Sequence, residues 1–272
     1  MKISEKIILG HLTQYVDSGS SGVPIFFIHG NSAGKEVFYP LINEYLGSRF
    51  RCISFDLLGC SNLEKENESG QLHFHQILEH MKLFIDSFNF EEYFVFGHSL
   101  GGHLYLENAR FFKNAKGAFL CGVPPLGKTG VPLNPFQDNP VIPLLFNSEL
   151  SEKNKIDLVE NLINQNDDNK ELIFSLLSRT NPLFRSALSK AHSDGLIIDE
   201  VAAIFESSIP ICLSIGENDR LINHTYLEQF SEKIWKGKPL IIKSAGHYPQ
   251  LENPGELSEF ICEFVLEFVK KN

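Results

Sequence analysis

Three residues far apart in the chain are of the types that together convert an alcohol into a nucleophile. Ser99 stands in Phe96-Gly97-His98-Ser99-Leu100-Gly101-Gly102, Asp219 in Gly216-Glu217-Asn218-Asp219-Arg220, and His247 in Ala245-Gly246-His247-Tyr248-Pro249. A serine hydroxyl attacks poorly until a base takes its proton, and an imidazole does this best when a carboxylate holds it in the right tautomer. Such a set can attack a carbonyl carbon and pass through an acyl intermediate. The G-x-S-x-G pattern gains specificity when it marks a strand-to-helix turn, because small neighbours tolerate the crowding and the turn lifts the hydroxyl clear of the sheet. A fourth segment, His29-Gly30-Asn31, bears on the same chemistry. An oxyanion hole on this kind of turn uses the N–H of the residue after the nucleophile and one from the first strand–helix loop, here Leu100 and Asn31. At single positions other readings stay open: the 29–31 loop can be turn chemistry alone, and Glu217 is a second carboxylate in the acid turn.

These residues need a scaffold that brings distant segments to one edge. Pro24–Ile28 is a continuous apolar run, as in a strand buried on both faces, and it ends abruptly at His29. Arg51–Phe55 reads as a second such strand ending at Asp56, with a helix between them over 35–46. Phe74, Ile77, Leu78, Met81, Phe84, Ile85 and Phe88 make one broad apolar face of a helix. Residues 92–96 form the strand before Ser99, a helix follows to about Phe112, and 118–121 form a further strand. Later come strands over 209–215 and 239–242, a helix over 225–234, and a final helix with Leu257, Phe260, Ile261, Phe264, Val265 and Phe268 on one face. Strands alternating with helices predict an α/β fold with a mostly parallel central sheet flanked by helices. In such sheets the carboxyl edge builds the site, and Ser99, Asp219 and His247 all fall just after strands.

The rhythm breaks after Val123. Six prolines precede residue 144, followed by helical faces at Ile156, Val159 and Ile163, then Leu172, Ile173, Leu176 and Leu177, then Leu183, Phe184, Ala187 and Leu188. Residues 124–206 are therefore expected to be a helical cap inserted into a core made of 1–123 and 207–272.

Composition narrows the partners. The 272 residues carry 24 Lys and Arg against 34 Asp and Glu, a net charge of −10, which disfavours nucleic acid and anionic membrane surfaces. No run approaches the roughly 20 apolar residues of a membrane span, and residues 1–12 lack a signal-peptide pattern, so a cytoplasmic setting is expected. Cys52, Cys60, Cys121, Cys212 and Cys262 show no paired spacing, and neither disulfides nor a metal site is expected. The 23 Phe are read chiefly as core packing. His98 either lines a pocket or packs on the sheet, while His29 and Gly30 are further pocket candidates. His103 is read as a packed or capping residue, Asp56 as a turn residue, and His73, His75 and His80 as solvated.

Taken together, the His29-Gly30 turn, Asp56-Leu57-Leu58-Gly59, the serine turn, the acid turn and the Gly246-His247 loop resemble the α/β-hydrolase superfamily across nearly the whole chain. Within it, His29-Gly30-Asn31-Ser32, Phe96 to His103, Gly122-Val123-Pro124-Pro125 and Ser178-Arg179-Thr180 look most like the α/β-hydrolase type of N-acyl-homoserine lactonase. The resemblance implies Ser99 as nucleophile, His247 as base, Asp219 as acid, and Asn31 with Leu100 as the oxyanion hole. Two positions depart from the lactonase type: His98 stands where it carries Trp, and Asp219 where its acid is Glu. Residues 124–206 also contain no Tyr or Trp to orient a lactone. The expected activity is cofactor-free hydrolysis of a small carboxylic ester or lactone. A carbon–carbon bond hydrolase, thioesterase or amidase, or a non-catalytic small-molecule receptor on the same scaffold, are the alternatives. The sequence does not specify an oligomeric state.

Overall fold

The computed structural model describes residues 2–61, 72–127, 133–164, 166–196 and 198–269. The chain opens with an antiparallel hairpin, β1 (Ile3–Ile8) and β2 (His11–Asp17). Its two-residue turn has positive φ at Leu9 (52°) and Gly10 (82°), the geometry whose twist matches the flanking strands. Six more strands follow: β3 (Pro24–Ile28), β4 (Arg51–Phe55), β5 (Tyr93–His98), β6 (Ala115–Cys121), β7 (Ile211–Gly216) and β8 (Leu240–Ile242). They form one eight-stranded sheet in the order β1-β2-β4-β3-β5-β6-β7-β8, parallel from β4 onward. This is the mostly parallel, helix-flanked sheet that the sequence predicts.

The helices are α1 (Phe74–Asp86), α2 (Leu100–Asn108), α3 (Glu152–Leu162), α4 (Asp167–Arg179), α5 (Pro182–Ser193), α6 (Glu200–Glu206), α7 (His224–Glu228), α8 (Pro249–Glu252) and α9 (Pro254–Val269). Four of them, α3 to α6, lie between β6 and β7. Pro132, one of the six prolines that precede them, lies outside the described residues.

The core explains the phenylalanines. In register across β3, β5 and β6, Phe27, Phe96 and Phe119 stand opposite one another, with ring centroids 5.4 and 5.6 Å apart. Phe264 of α9 meets Phe119 edge-on at 5.8 Å, continuing the cluster into the helical layer. Aromatic pairs at such separations add to the burial of their area.

Three local readings change. The helix expected over 35–46 is a 3-10 turn (Lys35–Phe38) and a wider π-type turn (Leu41–Leu46) meeting at Pro40. Pro40 has no N–H with which to continue an α-ladder, so the Glu36 carbonyl receives Tyr39 N–H instead. The helix expected over 225–234 stops at Glu228 and continues as i to i+3 turns. His80 is not solvated: it is 1% exposed and shares a 2.8 Å hydrogen bond with Thr13 Oγ1 of β2. The reason lies in helix spacing, since His80 falls on the buried face with Ile77, Met81 and Phe84. Burial, with His11 nearby, pushes its imidazole down to about 4. No helix of the described residues is long and apolar enough to cross a membrane.

Candidate active site

Ser99 sits at the junction of β5 and α2 with φ 49° and ψ −123°. A non-glycine residue at positive φ is strained by about 1–3 kcal/mol and persists only where its surroundings impose it. Here they do. Ser99 N–H donates to the Cys121 carbonyl at 2.9 Å. A Cβ on Gly101 would stand 2.2 Å from the Ile28 carbonyl oxygen, and one on Gly97 would stand 2.6 Å from Gly102 Cα. The glycines of the motif are thus spent on close backbone approach, which pulls the start of α2 onto the end of β3.

The acid turn follows β7. Asp219 is 3% exposed and uses both carboxylate oxygens: Oδ1 accepts from Leu221 N–H (2.8 Å) and Ile222 N–H (3.2 Å), and Oδ2 lies 2.8 Å from His247 Nδ1. Burial alone would raise its pKa. The His247 charge and hydrogen bond, with the two amides, outweigh that and hold the carboxyl below its ordinary value. With Asp219 ionised, His247 carries its proton on Nδ1 and leaves Nε2 free to act as a base. Glu217 does not compete, because it is exposed and its Oε2 accepts from Ser244 N–H at 3.0 Å.

His247 reaches the serine's side of the sheet through Gly122. That residue follows Cys121, which pairs with His98. Gly122 has φ 64°, and a Cβ there would lie 3.2 Å from His247 Cε1. The imidazole therefore stands over the end of β6, next to the strand that ends at Ser99. The loop is held from both sides: His247 N–H donates to Leu162 O of α3 at 3.0 Å, and His247 O accepts from His98 Nε2 at 2.7 Å. Ser99 Oγ makes no hydrogen bond with His247 among the described residues.

The turn after β3 faces the serine. A Cβ on Gly30 would lie 3.1 Å from Ser99 Cβ and 3.0 Å from His98 Nδ1. Neither Asn31 N–H nor Leu100 N–H meets an acceptor among the described residues, so both donors stand unspent near Ser99. His29 and His98 are both fully buried. His29 spends both ring nitrogens on backbone, Nδ1 on Gly30 O at 2.8 Å and Nε2 on Leu57 N–H at 3.0 Å, and so braces two strand-end turns. His98 is held neutral by burial and by His247, its pKa pushed down to about 3, and its ring lies 4.5 Å from that of Tyr248.

The segment between β6 and β7 supplies contacts that its sequence does not announce. Gln137 Nε2 donates to Asp219 O (2.8 Å) and Ile222 O (2.9 Å), steadying the acid turn. Arg179 of α4 forms a two-pronged pair with Glu36 (2.8 and 2.7 Å), beside the buried Lys35–Asp56 pair at 2.8 Å. His103 meets Glu200 of α6 at 2.8 Å, as a packed residue would. Among the described residues no group of three His, Cys, Asp or Glu can hold a metal ion. A cavity of about 560 Å³ opens at the amino edge of the sheet, lined by Arg110, Phe112, Asp199, Ala203 and Ile209 among others, but none of the site residues borders it. Ser99, Asp219 and His247 follow the carboxyl ends of β5, β7 and β8, at the opposite edge.

The alpha/beta hydrolase family model matches residues 25–260, and the chain belongs to that family. Among solved structures, a variant of N-acyl homoserine lactonase AidH complexed with N-hexanoyl homoserine lactone is 20% identical, with a TM-score of 0.87 over 100% of both chains. A putative aryl esterase from Burkholderia cenocepacia is 16% identical, with a TM-score of 0.79 over 99% of this chain and 100% of that one. A variant of the meta-cleavage product hydrolase CumD is 18% identical, with a TM-score of 0.76 over 97% of this chain and 98% of that one. At these identities the likeness is one of fold. No curated protein matches the sequence.

Proposed function

We propose that the chain is a serine hydrolase of small carboxylic esters or lactones. The observation that carries this reading is the strained Ser99 at the sheet edge that also holds the buried Asp219–His247 pair. Ser99 Oγ attacks the carbonyl carbon while His247 Nε2 takes its proton, and Asp219 stabilises the imidazolium that forms. The N–H groups of Asn31 and Leu100 receive the oxyanion. His247 then protonates the departing alkoxide, which in a lactone stays tethered to the acyl group. Water activated by the same imidazole releases the acid and restores the serine. Residues 124–206 act as a cap that selects the substrate and limits water at the site.

A lactone fits beside an open ester because the AidH structure holds N-hexanoyl homoserine lactone on the same fold. Turnover of short nitrophenyl esters and of acyl-homoserine lactones by the purified chain tests the reading. Hydrolysis of either class, abolished in Ser99→Ala, is expected. Tight binding of such compounds without product would instead make the chain a receptor on a hydrolase scaffold, and ester turnover without lactone opening would remove lactones from its substrates.

A further inference from the structure

Arg185 of α5 is a guanidinium 3% exposed whose hydrogen bonds all go to neutral acceptors. Its Nε donates to Asn147 O (2.7 Å), Nη2 to Ser148 O (2.8 Å) and Nη1 to Ser32 Oγ (3.0 Å). Ser32 is itself buried and left-handed, with φ 51°, and its hydroxyl donates to Asn31 Oδ1 at 2.8 Å. Asn31 Nδ2 donates in turn to Leu145 O at 2.7 Å. Because Leu145, Asn147 and Ser148 belong to one short stretch, these bonds close a ring. It runs from Arg185 through Ser32 and Asn31 to Leu145, and along the backbone back to Arg185. The ring pins both polar atoms of the Asn31 side-chain amide.

Removing a charge from water is costly and is tolerated where hydrogen bonds satisfy it. A buried arginine set on this loop answers a need for fixed geometry, since an oxyanion donor works only when aimed before the reaction begins. We propose that Arg185 is a positioning residue for the oxyanion hole, seating the Asn31 N–H through Ser32 and tying that donor to the docked state of residues 145–148 and α5. This rests on the serine-hydrolase reading.

The test is steady-state hydrolysis of a nitrophenyl butyrate ester by the purified full chain and by Ser32→Ala, Arg185→Met and the double variant. Thermal midpoints and the affinity for phenylboronic acid, which adds to the serine as a tetrahedral adduct, are measured alongside. Loss of a single oxyanion donor costs about 10²–10³ in rate, so its misaiming is expected to lower kcat about ten- to a hundredfold with KM within about twofold. Boronate affinity is expected to fall in parallel. Residues acting as one unit are not additive, so the double variant is expected to be no worse than the poorer single one. Ser32→Ala cuts the link while leaving the carbonyl bonds of Arg185 intact, so it decides the matter even where Arg185→Met does not fold. A folded Ser32→Ala with kcat within about twofold of the parent, or losses that multiply in the double variant, would overturn the proposal. A parent chain that neither hydrolyses the ester nor takes up the boronate would overturn the serine-hydrolase reading itself, and the positioning role with it.

Discussion

At the scale of the residue, the candidate site holds its buried carboxylate on fixed partners. Asp219 has one oxygen for two backbone amides and the other for His247. Asp219→Asn keeps the shape but loses the charge that orients the imidazole, and a tautomer error of this kind costs about 10⁴ in kcat. A fall of that size with an unchanged circular dichroism spectrum is expected; a loss below tenfold would return Asp219 to the role of a turn residue. Gly101 answers to a different constraint. The 2.2 Å left between an added Cβ and the Ile28 carbonyl is backbone, which cannot swing aside. Gly101→Ala is expected to lower the unfolding free energy by about 1–3 kcal/mol, measured by urea titration, and to displace Ser99. Ser99, Asp219 and His247 were legible as candidates because each lies in a short motif just after an apolar strand, and the fold brings the last two to 2.8 Å. Arg185 was not. Its partner Ser32 lies 153 residues away, and no local pattern marks an arginine that serves a distant hydroxyl.

At the scale of the element, α4 is bolted to the turn after β3 by Arg179 and Glu36, residues 143 apart in the chain. Burial raises the Glu36 pKa, but the Arg179 hydrogen bonds and charge, with Lys35, outweigh it and bring the carboxyl down to about 2 from 4.5. A carboxyl depressed in the folded state stabilises above its unfolded pKa, and the contribution is lost as pH falls through the folded value. The stability difference between the parent and Glu36→Gln is therefore expected to be full near neutrality and to shrink between about pH 4.5 and 2. Urea midpoints across that range measure it, and a difference independent of pH would mean that the ion pair contributes nothing. Strand positions were readable because runs such as Pro24–Ile28 are buried on both faces. The break in the helical stretch at 35–46 is hidden in the sequence, because Pro40 sits inside an apolar pattern that otherwise reads as one helix. His80 shows the converse: its spacing from Ile77 and Phe84 marked it as buried, and its polarity hid the fact.

At the scale of the molecule, one aromatic cluster runs from β3 through β5 and β6 to α9 and holds up the edge that carries the site. Phe96 is fully buried at its centre, three residues before Ser99. Phe96→Ala is expected to cost about 3–5 kcal/mol, a large share of the roughly 5–15 kcal/mol of a whole folded chain. Thermal unfolding measures this, and a shift of only a degree or two would contradict it. The parallel sheet was foreseeable from alternating strand and helix patterns. The ties from the stretch between β6 and β7 to the sheet-edge turns, from Leu162 to His247 and from Gln137 to Asp219, were not, because backbone carbonyls leave no signature in side-chain types. The central claim, that Ser99 forms a covalent intermediate, is tested most directly by intact mass after treatment with a fluorophosphonate. A single adduct on the parent chain, located on Ser99 by peptide mapping and absent from Ser99→Ala, is the expected result. Undiminished labelling of Ser99→Ala, or none on the parent, would contradict it.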